Sequence, residues 1–418
     1  MPIDPVESIL RFNAAREPER LARKYDKLRG SDFAFLRGTC HLFYQRLASE
    51  DALPPTPLAW VSGDLHLENF GGYKGENRLV YFDINDFDEA CFAPIGWELV
   101  RFLASVQVAA PTLGISAGDA MRLCERFIGA YTDALVDGKA RWVERDAAPG
   151  LAGRLLANLG RRRRIDLLNK RTVRDNNHRT LLLDHDHALE ASKEQKRVVT
   201  HLVDRFATGQ GDRRFFRVRD VARRVAGTSS LGLARYVVLV EGKGSPDRNY
   251  LLDVKEAQPS SLVACLKRIK QPAWDSEAQR VVAIEQRTQA VAPAFLHPIS
   301  RRGTSYVLRA LQPSEDRVEL AALRGIEPMI VLVEEMARIV AWDQLRSAGR
   351  QGSAPADELI EFGNARAKWR RALRDQAHAC AKQVSADRIA YVAAYKKGAF
   401  ATAPGRGLRA NQDLHARG

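Results

Sequence analysis

The sequence has few cysteines, and none of them are closely paired. Among its 418 residues, five are cysteines, at positions Cys40, Cys91, Cys124, Cys265 and Cys380. An odd number of cysteines at such wide spacing is untypical of both a disulfide framework and a structural zinc site. We therefore expect reduced thiols that are mostly buried.

Long hydrophobic runs are also missing. No apolar stretch approaches the roughly 20 residues that a transmembrane helix requires. Residues 1–28 carry charges throughout and lack the hydrophobic core of a signal peptide. We expect a cytoplasmic protein that does not associate with a membrane.

The common sequence signatures of nucleic-acid binding are absent, although the formal net charge is +14 and the pI is about 9.7. Such a charge raises the hypothesis of a nucleic-acid partner. However, the 65 Lys and Arg residues are spread along the chain, with one dense run at 161–164. We interpret that run as a solvated face, so nucleic acid is the less favoured partner. Nothing in the sequence indicates the oligomeric state.

The distribution of helical and strand patterns predicts an α+β fold with two lobes. We expect an α-rich lobe with a helical connector over 1–214 and a β-rich lobe over 215–325. Helices over 326–403 should pack on the α-rich lobe. The segment 404–418 is poor in apolar residues and is predicted to be disordered.

Local signals place several elements within these lobes. Ser116 and Ser276 are predicted to cap the helices that follow them. Two apolar strands, ARYVVLVEG and NYLLDVKEA, are joined by GKGSPD, which is typical of a hairpin. A further strand is predicted over 305–311, and helices over 326–346 and 355–398.

The segment GDLHLENF combines groups that phosphoryl transfer requires. Asp64 and Asn69 lie in a loop that leaves a predicted strand. A carboxylate near the attacking hydroxyl and an amide oxygen for a metal ion are recurring parts of phosphotransferase sites. We expect Asp64 to act as the base or positioning group and Asn69 as a magnesium ligand. Arg37 and His66 are candidate liners of the acceptor pocket.

A second acidic segment, FDINDFDEA, follows closely. Asp83, Asp86 and Asp88 add three carboxylates to Asp64. So many negative charges would repel one another and raise one another's pKa unless a cation lies among them. Oxygen ligands at this density favour magnesium or manganese over zinc. We expect Asp86 to be a metal ligand, with Asp83 and Asp88 as possible additions.

A Gly- and Ser-containing loop precedes the hairpin. Gly227, Ser229, Ser230 and Gly232 belong to a loop whose backbone N–H groups could approach phosphates. In the second hairpin strand, alternation places Tyr250, Leu252 and Val254 on one face, and Lys255 shares the other face with Leu251 and Asp253. A lysine in such an apolar strand needs an anionic partner, such as a nucleotide phosphate.

The helix predicted from Ser276 carries another buried charge. Glu285 falls on its apolar stripe, three and four residues after Val282 and Val281. A carboxylate in that position should be paired. Lys255 is the candidate partner, and Glu285 would then orient it.

These segments resemble known kinases. GDLHLEN is similar to the GDLHPGN catalytic loop of aminoglycoside phosphotransferases and choline kinases, and NDFDEACFAPIGWELVR resembles their metal-binding segment and the helix after it. The resemblance implies a protein-kinase-like fold with ATP and Mg²⁺, and makes Asp64 the base and Asn69 and Asp86 metal ligands. Ser62 stands where these enzymes usually carry a histidine that braces the loop, and Ser229 replaces an expected glycine.

The chain also resembles a bacterial family called domain of unknown function 2252. FAFLRGTCHLFY, GDLHLENFG, VYFDINDFDEA and DVKEAQPSS are similar to its characteristic segments. In ordinary kinases the glycine-rich lobe precedes the catalytic loop, whereas here Lys255 follows Asp64. A circular permutation would explain this order. It predicts that Lys255 faces Asp86 across a cleft.

The favoured function is therefore an ATP- and magnesium-dependent phosphotransferase acting on a hydroxyl or amine of a small molecule. A metal-dependent phosphoesterase is an alternative, because GDLH also resembles its Asp and His ligands, but it would need more such ligands. A non-catalytic pseudokinase, a basic nucleic-acid-binding protein and transfer of AMP remain further alternatives. The DHDH cluster at 184–187 is interpreted as an exposed turn, not a metal site.

Overall fold

The computed structural model describes residues 3–50, 53–144, 148, 150–313, 316–320, 323 and 325–401. The segment 404–418, predicted to be disordered, lies outside these residues. Within them, helices occur together with antiparallel sheets, which is compatible with an α+β fold. No described helix is both long and apolar enough to span a membrane.

The helices occur along the whole described chain, and the longest of them lies near its C-terminal end. Within the described residues they are α1 (Pro5–Phe12), α2 (Pro18–Leu28), α3 (Asp32–Gly38), α4 (Cys40–Glu50), α5 (Ile95–Ala109), α6 (Ala117–Asp137), α7 (Gly150–Arg161), α8 (Arg164–Arg171), α9 (Lys193–Thr208), α10 (Glu277–Thr288), α11 (Ile326–Arg346), α12 (Ala356–Asn364) and α13 (Arg366–Lys396).

The strands lie mainly in the middle of the chain. They are β1 (Leu58–Val61), β2 (Phe70–Lys74), β3 (Val80–Ile84), β4 (Cys91–Pro94), β5 (Val143–Glu144), β6 (Thr172–Asp175), β7 (His178–Leu181), β8 (Ala188–Glu190), β9 (Val218–Arg224), β10 (Arg235–Val240), β11 (Tyr250–Glu256), β12 (His297–Arg301), β13 (Thr304–Ala310) and β14 (Asp316–Arg317).

The largest sheet is antiparallel and six-stranded, in the order β12-β13-β11-β10-β9-β8. Its first strand in sequence, β8, lies upstream of residue 215, and α9 also packs on β9. The large sheet therefore begins before residue 215, within the range expected for the α-rich lobe and its helical connector. The sequence does not reveal this, since β8 is only three residues long.

Two smaller sheets lie beside the helices and carry the acidic loops. The order β14-β2-β3-β5 forms one of them, and β1 pairs with β4 in the other. One loop joins β1 to β2 and contains Asp64 and Asn69, and another joins β3 to β4 and contains Asp86 and Asp88. Strand pairing of β2 with β3 and of β1 with β4 thus holds the two loops side by side.

The main hydrophobic core lies among the long helices. α11 packs along α6, and α13 packs along α5, so the C-terminal helices contact the helical part of the chain. α5 is buried almost all round. A helix that is apolar on every side belongs in the interior, and α5 therefore gives the loops that contact it a rigid support.

Several local predictions are confirmed. The side chains of Ser116 and Ser276 accept hydrogen bonds from the third residue after each, and so cap α6 and α10. The helix predicted over 326–346 is α11. The helical region predicted over 355–398 is divided into α12 and α13.

The alternation along β11 is also as predicted. Leu252 and Val254 join a cluster of buried residues that includes α9, whereas Leu251 belongs to a cluster on the opposite face. Asp253 and Lys255 share that opposite face because successive side chains of a strand alternate. One end of this face is covered by α8 and β7, and the other end is polar and lines a cleft.

Candidate functional site

A cleft of about 720 Å³ lies between the polar face of the large sheet and the two acidic loops. The segment 226–230 forms part of another wall, and the residues 162–163, part of α8, the residues 311–313 and β14 contribute further lining. The residues that line it include ten Lys or Arg and seven Asp or Glu. Such a pocket suits a polar, anionic ligand.

Asp64 lines this cleft and is held by a buried arginine. Its Oδ1 atom accepts a hydrogen bond from Arg101 Nε at 2.9 Å and another from Arg101 Nη2. Burial raises the pKa of Asp64 above its ordinary value, although the charge of Arg101 opposes that rise. Oδ2 accepts no hydrogen bond from the described residues, so it is the oxygen available to a ligand.

The loop before Asp64 is braced by Glu98 of α5. Glu98 Oε1 accepts hydrogen bonds from the Ser62 N–H and the Ser62 hydroxyl, both at 2.7 Å, and a longer one from the Gly63 N–H at 3.4 Å. Ser62 replaces the histidine of kinase loops but takes part in this bracing itself. Gly63 has a φ of +81°, and a Cβ there would collide with the Glu89 carbonyl. The sequence therefore needs glycine at this close approach of the two loops.

Asn69 links the two acidic loops. Its Nδ2 atom donates to the carbonyl oxygens of Asp64 at 3.1 Å and of Asp86 at 3.3 Å. Because both neighbours are acceptors, the amide nitrogen must face them. Oδ1 accepts no hydrogen bond from the part of the chain that the structure describes. Asn69 is only 2% exposed and is not itself a lining residue, but it is hydrogen-bonded to two lining residues, Asp64 and Asp86.

Lys255 reaches across the cleft to the second acidic loop. Its Nζ atom lies 3.6 Å from Asp86 Oδ1 and also forms an ion pair with Asp88 Oδ2. The predicted proximity of Lys255 and Asp86 is thus confirmed. In this structure the ammonium group of Lys255 pairs with both of these carboxylates.

The two carboxylates on Lys255 differ in their electrostatics. Burial alone would raise the pKa of Asp86, but the positive charges of Lys255, Arg317 and the arginines of the sheet hold it below its ordinary value. Burial and the neighbouring Asp86 raise the pKa of Asp88. Asp86 is therefore the better anion of the pair and the better metal ligand.

Asp83 lies away from the cleft. Its Oδ1 atom accepts from the Ile84 N–H at 2.8 Å, its Oδ2 atom accepts from the Ala290 N–H at 3.2 Å, and Oδ2 lies 3.7 Å from Arg346. As a possible additional site residue, Asp83 was a wrong prediction. Strand alternation on β3 turns its side chain toward α11.

The loop over 227–232 is tied by its carbonyl groups to the N-terminal helices. The Ser229 carbonyl accepts from Lys24 Nζ at 3.0 Å and from Arg16, and the Leu231 carbonyl accepts from Arg16 Nη1 at 2.9 Å. Among the described residues, nothing accepts a hydrogen bond from the N–H groups of residues 228–230. This arrangement leaves donors for an anion, as a phosphate-binding loop requires.

The glycines that bracket this loop differ in position. Gly227 lines the cleft together with Ser229 and Ser230, and its φ is +78°. Gly232, with a φ of +90°, packs instead against Arg16 and is not among the lining residues. Gly232 therefore shapes the loop but does not contact a ligand in the cleft.

Glu285 lines the cleft but does not pair with Lys255, whose ion pairs among the described residues are with Asp86 and Asp88. The predicted Lys255–Glu285 pair is not among these ion pairs. The acidic loop approaches Lys255 more closely than α10 does, and this depends on contacts distant in sequence.

Arg280 of α10 is a residue that sequence reasoning missed. It is 3% exposed and donates to the carbonyls of Asp88 at 3.0 Å, Gln258 at 2.9 Å and Ala90. These bonds tie the second acidic loop to the segment after β11. The sequence offers only a weak indication of this role. Arg280 falls on the apolar face of its helix, and a buried arginine needs hydrogen-bond acceptors.

A second buried charge cluster was also missed. Asp253 is 2% exposed and accepts from Arg235 at 2.9 and 2.6 Å, while Arg224 lies at 2.8 Å and Arg309 at 3.9 Å. Burial would raise the pKa of Asp253, but the arginines hold it well below its ordinary value. Arg235 on β10 is the register partner of Lys255 on β11. The cluster therefore lies on the sheet face beside Lys255.

Arg37 and His66, the predicted liners, both contact the cleft. Arg37 forms an ion pair with Glu68. His66 Nδ1 accepts from the Glu68 N–H at 3.1 Å, which places the ring proton of the neutral imidazole on Nε2. Burial and the nearby Arg37 and Arg101 hold the pKa of His66 well below its ordinary value.

The basic run at 161–164 is more than a solvated face. Arg162 and Arg163 line the cleft, where they pair with Asp316 at 2.6 Å and with Asp166 at 2.9 Å. The interpretation from sequence was therefore incomplete, because the junction of α7 and α8 folds over the cleft.

The described side chains do not form a metal site by themselves. In the described ranges, no group of three or more His, Cys, Asp or Glu is arranged to hold a metal ion. The turn at 184–187 closes on itself instead, with His187 Nδ1 at 2.6 Å from Asp184. A magnesium ion in the cleft would thus combine few protein oxygens, those of Asp86 and Asn69, with oxygens from a bound phosphate or water.

The comparisons with known proteins identify the family. A family model described as "Uncharacterized protein conserved in bacteria (DUF2252)" matches residues 16–394, so the chain belongs to this family. The match includes both acidic loops, the 227–232 loop and Lys255. Neither the curated proteins nor the solved structures gave a match.

Proposed function

We propose that the chain is a phosphotransferase of circularly permuted, protein-kinase-like architecture. It binds ATP with magnesium in the cleft and transfers the γ-phosphoryl group to a hydroxyl or amine of a small molecule. The observation that carries this proposal is the approach of Lys255, on a strand of the large sheet, to Asp86, whose loop Asn69 ties to that of Asp64.

The roles follow from position and charge. Lys255 and the N–H groups of residues 228–230 would bind the phosphates. Asp86 and Asn69 would hold magnesium, which neutralises charge on the triphosphate. Because Lys255 forms ion pairs with both Asp86 and Asp88, nucleotide and metal would replace these ion pairs with contacts to the ligand.

Asp64 would position and deprotonate the acceptor. Its Oδ1 is fixed by Arg101, and Oδ2 would receive the proton of the acceptor hydroxyl. The acceptor oxygen forms a bond to the γ-phosphorus as the bond to the β,γ-bridging oxygen breaks, and ADP leaves with that electron pair. A raised pKa makes Asp64 a stronger base than an ordinary aspartate.

Two other functions have less support. A two-metal phosphoesterase needs several His and Asp ligands, and the described residues provide no group of three. A nucleic-acid-binding protein would present its positive charge on an open surface, whereas ten cations here line one cleft together with seven acids.

Thermal unfolding of the full chain with ATP and magnesium tests the proposal. Ligand at about a hundred times its dissociation constant adds roughly 2.7 kcal/mol, which is a shift of a few degrees. The wild type should shift, and the variants Asp86→Asn and Lys255→Ala should not. Lys196→Ala is the matched control, because Lys196 of α9 pairs with Asp220 of β9 at 3.0 Å and neither residue lines the cleft. Equal shifts in all four proteins would disprove the proposed site.

Radiolabelled ATP then distinguishes the reactions. Transfer of label from the γ-position to a small molecule supports the phosphotransferase, and transfer from the α-position indicates AMP transfer instead. Binding without any transfer, across a broad set of hydroxyl and amine compounds, would indicate a pseudokinase.

A further inference from the structure

The side of the cleft next to Asp64 carries an excess of positive charge. Arg37 and Arg317 both line the cleft and both approach one carboxylate, that of Glu68. Arg37 forms a close ion pair with it, and Arg317 Nη1 lies 3.9 Å from Glu68 Oε2. Two guanidinium groups thus share one carboxylate.

The pairing of these arginines is incomplete. The Arg37 side chain is 14% exposed, and its Nε atom is buried without a hydrogen-bond partner among the described residues. A buried donor without an acceptor is costly. An oxyanion can engage two N–H groups of one guanidinium at once, and would satisfy both Nε and the terminal nitrogen of Arg37.

The structure fixes Arg37 next to the reacting aspartate. Arg101 binds the Asp64 carboxylate and also donates from Nη2 to the carbonyl of Leu36 at 3.0 Å, the residue before Arg37. His66, whose Nε2–H is available as a donor, lines the same region. An anion bound by Arg37 would therefore lie beside Asp64.

We propose that the acceptor substrate is a hydroxyl or amine compound that also bears an oxyanion, a phosphate or a carboxylate, which binds Arg37 and Arg317 in place of Glu68. This inference rests on the proposed function, since it names the class of acceptor for the same site. His66 Nε2 would donate to an oxygen of the acceptor, and Asp64 would face the hydroxyl or amine.

Inorganic phosphate is the probe for this anion site. We would measure its apparent dissociation constant by thermal unfolding of the full chain, with and without saturating ADP and magnesium. Arg37→Lys and Arg317→Gln should each weaken phosphate binding about tenfold, the equivalent of one lost charge-assisted hydrogen bond. ATP–magnesium binding should persist in Arg37→Lys, which is the variant for this comparison because Arg317 also lowers the pKa of Asp86.

Glu68→Gln provides the sharpest prediction, because it should change the phosphate affinity in the direction opposite to that of the two arginine variants. Removing the competing carboxylate should tighten phosphate binding, by about threefold or more. A purely structural role for Glu68 predicts no such gain. Arg122→Gln is the matched control, since Arg122 pairs with Glu327 at 3.0 Å on the surface between α6 and α11, and its phosphate affinity should equal that of the wild type.

The outcomes separate the two proposals. If Lys255→Ala abolishes phosphate binding, or if ADP and magnesium displace the phosphate, the anion binds in the nucleotide site. Either result would overturn the acceptor inference alone. An absence of phosphate binding to the wild type would also overturn it. If the wild type does not bind ATP and magnesium, the proposed function is overturned, and the acceptor inference is overturned with it. A parallel titration with malonate distinguishes a carboxylate-bearing acceptor, which malonate mimics, from one that bears phosphate.

Discussion

Lys255 Nζ lies 3.6 Å from Asp86 Oδ1, although Lys255 lies on β11 of the large sheet and Asp86 in the loop between β3 and β4. The lysine also pairs with Asp88, so one ammonium group serves two carboxylates. This relationship connects the large sheet to the acidic loops. The stability of the cleft should therefore depend on the cation that neutralises the carboxylates of Asp86 and Asp88.

Replacing Lys255 with alanine should leave Asp86 and Asp88 without their shared cation. Breaking a buried ion pair costs about 3–5 kcal/mol, but both carboxylates are about a third exposed, so we expect about 1–3 kcal/mol. Urea unfolding measures the loss. Because a divalent cation can replace the ammonium group, magnesium alone should stabilise Lys255→Ala more than it stabilises the wild type.

The control for this experiment is Lys196→Ala, which should show no gain from magnesium. If magnesium stabilises Lys255→Ala no more than the wild type, Asp86 and Asp88 do not form a cation site, and the metal part of the proposed function loses its basis.

Glu98 should be essential for the geometry of the Asp64 loop. Glu98→Ala removes the acceptor for the Ser62 hydroxyl and two backbone N–H groups, and should cost about 2–4 kcal/mol in urea unfolding. Ser62→Ala removes only the hydroxyl bond and should cost about 1 kcal/mol. Equal losses for both variants would show that the backbone contacts of Glu98 contribute nothing.

The Asp253 cluster should make stability depend on acidity. The folded pKa of Asp253 is depressed, so its contribution is present above the unfolded pKa of about 3.9 and is lost as the pH falls below it. Asp253→Asn should destabilise the protein by about 3–5 kcal/mol at neutral pH. Urea unfolding between pH 3 and pH 7 measures this effect. The difference in free energy of unfolding between Asp253→Asn and the wild type should become smaller as the pH falls below about 4.

A suitable control for that series is Asp133→Asn, because the Asp133 side chain is 81% exposed. A difference between Asp253→Asn and the wild type that stays constant down to pH 3 would mean that the aspartate is not held ionised by its arginines.

Local sequence signals predicted the parts of the fold that depend on nearby residues. The caps at Ser116 and Ser276 and the alternation on β11 each depend on only a few neighbouring residues. For the same reason, GDLHLEN and NDFDEA indicated which loops would come together. Asp64, Asp86 and Lys255 do line one cleft.

Long-range pairings could not be predicted from the sequence. The partner of Asp64 is Arg101 of α5, and the partners of Asp253 come from three strands. Charge alone does not indicate which of 65 Lys and Arg residues reaches a given carboxylate. For the same reason, the sequence did not indicate that Asp86 and Asp88 would be the ion-pair partners of Lys255, and the choice of Asp83 depended on the direction of a strand residue.

Asp64→Asn should separate binding from chemistry. The amide still accepts from Arg101 but cannot take the acceptor proton, so transfer should fall about 10²–10⁴-fold. Affinity for ATP and magnesium should change little, because Asp64 does not contact Lys255. The γ-label transfer assay and thermal unfolding with ATP measure the two quantities. Unchanged transfer would exclude Asp64 as the base.

The most direct test of the nucleotide site is a crystal structure of the full chain with magnesium and a non-hydrolysable ATP analogue. We predict the triphosphate between Lys255 and residues 228–230, the metal ion on Asp86 and Asn69, and the γ-phosphate facing Asp64. A triphosphate bound elsewhere, with Lys255 still paired to Asp86 and Asp88, would contradict the proposed function.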